Sequence, residues 1–419
     1  MAVSYKHNHY VPEWYQKKFL PEGQFKLHYL DLDPEKITSR GHKYTRKAKL
    51  HWSPKKCFAQ DDLYTTKWGG LENRDIEKFF FGKLDAEAPK AIDHFAHYEF
   101  DDQSEEAFET LVPYMSVQKL RTPKGLKWLA GVLNTRNSNE VLLQLQALQN
   151  IFCAIWTECV WQIADASRSS TKFIISDHPV VVYNRECFPA SKWCRGVDDP
   201  DIRFVATQTY FPLNLEKILI LTNLSWVRDP YQNPLKLRPN PDFLRPTFFN
   251  LTDIHLGRQL SEEEVIEINY ITKRRSLRYI AAAEEEWLYP ELRLRSKCWR
   301  KLGDGYLLMP DPRHIHGGGQ VTIGYDTGRS ESFSEYGHRP WQKDFDDQSR
   351  SNRERQAMNR FKAEWVAMFG PEYRGVTHGF GRHQPDTRMS EDYYQRELKR
   401  DRANLKIPGE RSRRRKLKR

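Results

Sequence analysis

His7 and His9 stand two residues apart near the start of the chain. In an extended segment residues i and i+2 share a face, so both imidazoles are able to ligate one divalent metal. Asp177 or its neighbour His178, in the run Ser176-Asp177-His178-Pro179, offers a third ligand of a type that suits zinc or manganese. An open position on such a metal would activate water, with His9, Asp177 and Arg121 in catalytic roles. The alternative is that both histidines make ordinary polar contacts where the chain enters the core. Arg121 ends a helical stretch, and its planar fork holds a phosphate or a carboxylate through two bonds. It equally suits a helix C-terminus, where positive charge is favoured. Ser176, Asp177 and His178 are triad residue types, but consecutive residues do not reach triad geometry unaided. A strand-end turn held by Asp177 is the simpler reading. Cys187 and Cys194 flank a short loop and are able to pair or to hold a metal, although their spacing fits no common zinc pattern. No GxSxG elbow, Walker A loop, GxGxxG after a strand or HExxH is present.

The elements that must position these residues follow from periodicity. Residues 25–31 alternate and read as a strand, and residues 40–56 read as basic and irregular. Residues 71–84 read as a helix with Ile76, Phe80 and Leu84 on one face. Asp102 and Glu105 form a candidate capping box for a helix in which Pro113 predicts a kink or a stop. A helix over 124–134 follows. Another, capped by Asn137 and Glu140, is expected to run to about 166 with an almost continuous apolar surface. Short β-branched runs at 173–175, 180–183, 203–211 and 217–222 then read as strands. Ser261 and Glu264 cap a further helix expected to reach about 283. Asn269 and Arg278 on it would point to opposite faces. Helices followed by strands predict an α+β fold: a bundle-like helical region, a mainly antiparallel sheet and a polar C-terminal extension.

Several short motifs also occur in a particular order. They are His7-Asn8-His9-Tyr10-Val11-Pro12 with Trp14-Tyr15 and Lys18-Phe19, then Gln118-Lys119-Leu120-Arg121-Thr122-Pro123, then Ser176-Asp177-His178-Pro179. Phe211-Pro212-Leu213 and Asn269 with Arg278-Tyr279 complete the set. This ordered set, over roughly residues 5–285, resembles the uncharacterised domain-of-unknown-function family 4238. One departure is that Asn8 splits the opening histidine pair. The resemblance implies a shared fold and supplies no activity, cofactor or catalytic residue.

Charge and composition bound the rest. Aromatic residues make up 13% of the 419 residues, enough large rings to build a core in a chain that is 29% charged. Residues 399–419 hold eleven Lys or Arg against two acids, a net +9 of the chain's +11. Arg413, Arg414, Arg415 and Lys416 are the densest part of this tail, which would attract phosphate backbones without sequence selectivity. The alternative is a solvated end that aids solubility. No run approaches the roughly 20 apolar residues of a membrane span. Six cysteines without a CxxC pair suggest a reducing, cytoplasmic setting. The expected organisation is a body over 1–312, a linker-like segment over 313–351, an amphipathic helix over 352–370 and a mobile extension over 371–419. That helix would dock on the body or on a protein partner. Two functions follow. One is binding of nucleic acid or another polyanion, largely through the tail, with His7, Gln118 and His178 as further contacts. The other is a metal-dependent phosphodiesterase or nuclease using His7, His9, Arg121, Asp177 and His178.

Overall fold

The β-branched and aromatic runs gather into two larger sheets. The computed structural model describes residues 7–39, 42–194, 199–306, 308–316, 319–377 and 399. The larger sheet has the strand order Val181–Tyr183, Gln208–Pro212, Lys217–Asn223, Cys159–Asp165, His255–Gln259, Val376–Thr377. Its pairs are antiparallel except Cys159–Asp165 with His255–Gln259. Every residue of Gln208–Pro212 is buried, as a strand covered on both faces requires. The smaller sheet runs Ile175–Ser176, Tyr279–Ala282, Leu27–Asp31, Lys49–Trp52, all antiparallel. The helices Gly82–Ala96 and Ser104–Leu120 pack on each other, and one apolar core joins Phe95, Leu111 and Met115 to Trp161, Leu219 and Ile271. The fold is therefore mixed α and β, with several antiparallel sheets.

The order of elements differs from a helical region followed by a sheet, because strands also precede the helices. His7–His9 pairs with Ala59–Asp61, Lys36–Ser39 with His42–Thr45, and Thr66–Trp68 with Leu71–Asn73. The expected helix over 71–84 is a strand at Leu71–Asn73 and becomes helical from Ile76, as a wide π-helical stretch Ile76–Phe81 that runs into the helix Gly82–Ala96. Pro113 lies inside Ser104–Leu120 without ending it. The Asp102–Glu105 box does not form. Gln103 stands at the N-cap, and the Ser104 hydroxyl donates to the Asp101 carboxylate at 3.2 Å.

Two long helices predicted by apolar continuity end early. After Ser138–Ala147 and the short helix Cys153–Thr157 the chain turns into the strand Cys159–Asp165. A run apolar on all sides satisfies a buried strand as well as a buried helix, and neighbouring strands decide. The Ser261–Glu264 capping box does form, with Ser261 N–H donating to Glu264 Oε2 at 2.8 Å and Glu264 N–H to Ser261 Oγ at 3.3 Å. That helix closes at Arg275, and Tyr279–Ala282 leaves it to pair with Leu27–Asp31.

The segment expected to be linker-like is structured. Gln320–Gly324 and Ser330–Ser334 form a hairpin. The helix Gln348–Phe369 lays Met358, Phe361 and Trp365 against Trp226, Val227, Met309 and Ile315. Its apolar face is covered by the body rather than left for a partner. The buried Arg228 explains why so polar a segment docks. It meets Glu335 at 2.8 Å and Glu354 at 3.7 Å, and Tyr336 donates to Glu354 at 2.5 Å. A buried charge needs partners, and these come from 335–354. The ordered body thus continues past 310–319, through Val376–Thr377 on the sheet edge. Among the described residues no helix is long and apolar enough to cross a membrane.

Trp365→Ala is expected to lower the free energy of unfolding by about 3–5 kcal/mol, read from urea denaturation, because a fully buried indole leaves a cavity. An unchanged midpoint would mean that the helix Gln348–Phe369 does not belong to the body.

Candidate functional site

The junction between Ser104–Leu120 and Pro123–Leu133 holds most of the polar residues singled out in the sequence. Thr122 caps the second helix, its hydroxyl accepting from Gly125 N–H at 3.1 Å. Gly125 lies so close to the preceding turn that a Cβ there would stand 2.1 Å from the Lys119 carbonyl oxygen. This tight corner buries Gln118, Lys119, Arg121, Thr122 and Lys124 together.

Arg121 does hold a carboxylate through two bonds, but the carboxylate is internal. Its Nη1 and Nη2 donate to the two oxygens of Asp85 at 3.0 Å each, and its Nε to Gln118 Oε1 at 2.6 Å. Gln118 in turn donates to the Tyr10 carbonyl at 2.8 Å, tying the N-terminal segment to the helix. Arg121 is 1% exposed, with the Phe81 and Tyr114 rings beside it, so it presents no fork to a ligand.

Lys119 and Lys124 reach Asp199 at 3.1 and 2.6 Å, and His178 Nε2 lies 3.1 Å from the Lys119 ammonium. His178 Nδ1 stands 2.7 Å from the Thr122 hydroxyl. His178 Nε2 also lies 3.4 Å from Asp199 Oδ2, so the ring sits among the lysine, its counter-charge and the Thr122 hydroxyl. Burial, with Lys119 beside it, brings His178 down to about 3, so the ring is neutral at physiological pH. Burial alone would raise Asp199, but Lys119 and Lys124 hold it well below the usual carboxylate range.

Asp177 is also internally satisfied. It accepts the N–H groups of Leu277, Arg278 and Tyr279 at 2.8, 2.6 and 2.8 Å. Burial pushes its carboxyl up, and these three donors pull it down. Three captured amides explain why the helix ends at Arg275 and the chain turns into a strand. Asn269 grips the neighbouring segment, donating to the Lys172 carbonyl at 2.8 Å and accepting from Ile174 N–H at 3.1 Å. Arg278 pairs with Asp31 at 2.9 and 2.8 Å, so the two residues act separately, although not as opposite faces of one helix, since Arg278 lies beyond the helix end at Arg275.

His7 and His9 do share a face, their rings 5.2 Å apart, while Asn8 points inward and accepts from Tyr64 N–H. Their partners are Asp61 at 2.8 Å for His7, and the Lys55 carbonyl at 3.2 Å and Glu13 at 3.7 Å for His9. Burial lowers His9 from its ordinary value. The N-terminal segment joins the body through its pairing with Ala59–Asp61 and through Tyr10, whose carbonyl accepts from Gln118. His7, His9 and Asp177 therefore do not converge, and the described residues contain no group of three His, Cys, Asp or Glu able to hold a metal. The hydrolytic site expected of His7, His9, Arg121, Asp177 and His178 is not assembled. Two members lie at the surface strand His7–His9, and three are sealed in the core with partners of their own. Arg413, Arg414, Arg415 and Lys416 lie outside the described residues.

A different place is open to solvent. A groove of about 400 Å³ lies at the C-terminal end of the helix Glu262–Arg275. Arg274, Lys297 and Arg300 bring three cations to it, and Phe188, Pro189, Tyr270 and Trp299 supply its apolar surface. Trp299 is fixed from beneath: its indole N–H donates to the Asn184 carbonyl at 2.9 Å, and Tyr183 donates to its carbonyl at 3.3 Å. Glu267 accepts the Gly303 N–H with both oxygens at 3.0 Å, holding this wall to the helix. Arg300 is paired with Glu186 at 2.8 Å. Sequence reasoning passed over this groove because its cations come from two segments that only folding brings together. The cluster Lys273-Arg274-Arg275 at a helix end was the visible signal. Comparison of the chain with family models, curated proteins and solved structures gives no match.

Two outcomes test the buried junction. Gly125→Ala is expected to destabilise the fold by about 1–3 kcal/mol in urea denaturation, since the backbone corner must open. The second concerns pH. The unfolded chain protonates His178 near 6.5 and the folded chain only near 3. Between those values the unfolded state holds the extra proton, so stability is complete above 6.5 and falls as pH drops toward 3. His178→Gln is expected to flatten that part of the stability profile, and an unchanged slope would contradict the buried neutral imidazole.

Proposed function

We propose that this protein binds nucleic acid, or a polyanion of similar phosphate density, through the groove beside Trp299 together with its basic tail. The observation that carries this reading is the gathering of Arg274, Lys297 and Arg300 around an open, partly aromatic groove. Cations of this density attract phosphates, and Arg offers a bidentate fork to them. Phe188, 44% exposed, presents a ring face on which an unpaired base stacks without regard to sequence. The tail, with its net +9, adds unselective attraction by counterion release. The ordered motifs from His7 to Tyr279 support kinship with family 4238, and the unpaired state of all six cysteines suits a reducing, cytoplasmic setting.

The test uses labelled single-stranded RNA and DNA, titrated with the full chain across a series of salt concentrations. Arg274→Ala/Lys297→Ala/Arg300→Ala is expected to weaken binding and to reduce the salt slope by about 2–3. Removing residues 399–419 is expected to take away a larger share of the slope, leaving residual single-strand binding in the groove. Strands incubated with added magnesium or manganese are expected to stay intact. Unchanged affinity and slope in the triple variant would exclude the groove, and cleavage of the strands would replace binding by catalysis.

A further inference from the structure

Behind the groove wall lies a pair of thiols. Cys187 and Cys194 close a loop whose backbone is tightly folded: Ser191 N–H donates to the Phe188 carbonyl and Cys194 N–H to the Ser191 carbonyl, both at 3.0 Å. Ala190 in that loop adopts the left-handed region at φ 63°, a conformation that L side chains seldom adopt. Both cysteines are free and buried. Cys194 Sγ also lies 3.5 Å from the Cys187 carbonyl oxygen. Arg275, 0% exposed, donates to Cys194 Sγ at 3.3 Å and to the Cys187 carbonyl. Its guanidinium stands 4.8 Å from the Trp299 ring, which fixes it over the pair.

We propose that Cys187 and Cys194 are a redox-active dithiol, a site that hydroperoxides convert to a disulfide with Cys194 as the attacking sulfur. Three features converge on this chemistry. Cys194 Sγ already lies against the backbone of Cys187, so the loop pays little further entropy to close. A guanidinium beside one sulfur favours its thiolate, which is the reactive form. Each buried cysteine adjoins an exposed ring in the chain, Phe188 at 44% and Trp193 at 41%. The neighbouring Cys187 lowers the Cys194 thiol, Arg275 adding to it against the opposing effect of burial. The neighbouring Cys194, with burial, pushes Cys187 upward. The two sulfurs are thus unlike, one suited to attack and one to resolve.

The steps balance. The Cys194 thiolate attacks the terminal oxygen of the hydroperoxide. An S–O bond forms, the O–O bond breaks, and the alcohol or water leaves with a proton, giving a sulfenic acid. Cys187 then attacks that sulfur. The S–S bond forms, the S–O bond breaks, and water leaves with the Cys187 proton. Two thiols are oxidised and one peroxide is reduced. This assignment is independent of polyanion binding.

The probe is hydrogen peroxide on the reduced full chain. Intact mass should fall by two hydrogens, and peptide mapping should recover Cys187 linked to Cys194. In Cys187→Ser a cyclic 1,3-diketone should trap the sulfenic acid on Cys194. Arg275→Gln should slow oxidation at neutral pH by about tenfold while Arg275→Lys retains most of the rate. The pH profile of the unsubstituted chain supplies the same information if those variants do not fold: oxidation should rise with pH below the ordinary thiol range. Absence of the linked peptide, linkage through Cys298 instead, or trapping on Cys187 in Cys194→Ser with none on Cys194 in Cys187→Ser would overturn the proposal.

Discussion

One short corner, from Gln118 to Lys124, buries two lysines and an arginine, and the rest of the structure is arranged to satisfy them. Buried cations are costly unless paired and hydrogen-bonded. The partners come from far along the chain: Asp85 for Arg121, Asp199 for Lys119 and Lys124, and the Arg275 carbonyl for Lys124. Through them the corner holds the helix Gly82–Ala96, the turn at His178 and the end of the helix Glu262–Arg275 in one arrangement. Gly125 makes the corner possible, since the chain there passes its own preceding turn without room for a side chain.

The same requirement separates structural polar residues from functional ones. Arg121, Asp177 and His178 have the types expected of catalysis, yet each spends its bonding capacity inside the protein. Asp177 uses both oxygens on three amides and so determines where a helix stops and a strand begins. The groove shows the opposite pattern. Arg274, Lys297 and Arg300 line open space, Arg300 also pairing with Glu186, and the groups beneath them, Trp299, Glu267 and Arg275, are held by partners of their own. Rigid support under solvent-facing cations is what an anion site needs, because little ordering remains to be done on binding.

The C-terminal segment illustrates how polarity misleads. Residues 313–351 read as a linker because they are rich in Gly, Ser and charge. Arg228, buried under the helix Gln348–Phe369, needs carboxylates, and Glu335 and Glu354 provide them. The apolar stripe of Met358, Phe361 and Trp365 was legible by spacing alone. That it covers the body depends on Trp226 and Met309, whose positions no local pattern reveals.

The sequence by itself determined what local rules control. It specified the mixed α and β character, the capping box at Ser261, the shared face of His7 and His9 and the concentration of charge in residues 399–419. These depend on neighbours within a few residues, where dihedral preference and short hydrogen bonds decide. Only the tertiary structure decided that Cys159–Asp165 is a strand, that Arg121 faces Asp85 rather than a ligand, and that Cys187 and Cys194 meet under Arg275. An apolar run is compatible with either a helix or a strand until sheet neighbours claim its amides. A charged side chain is compatible with either a site or a core until folding brings its counter-charge. Both choices rest on contacts tens to hundreds of residues apart, and those exist only in the folded chain.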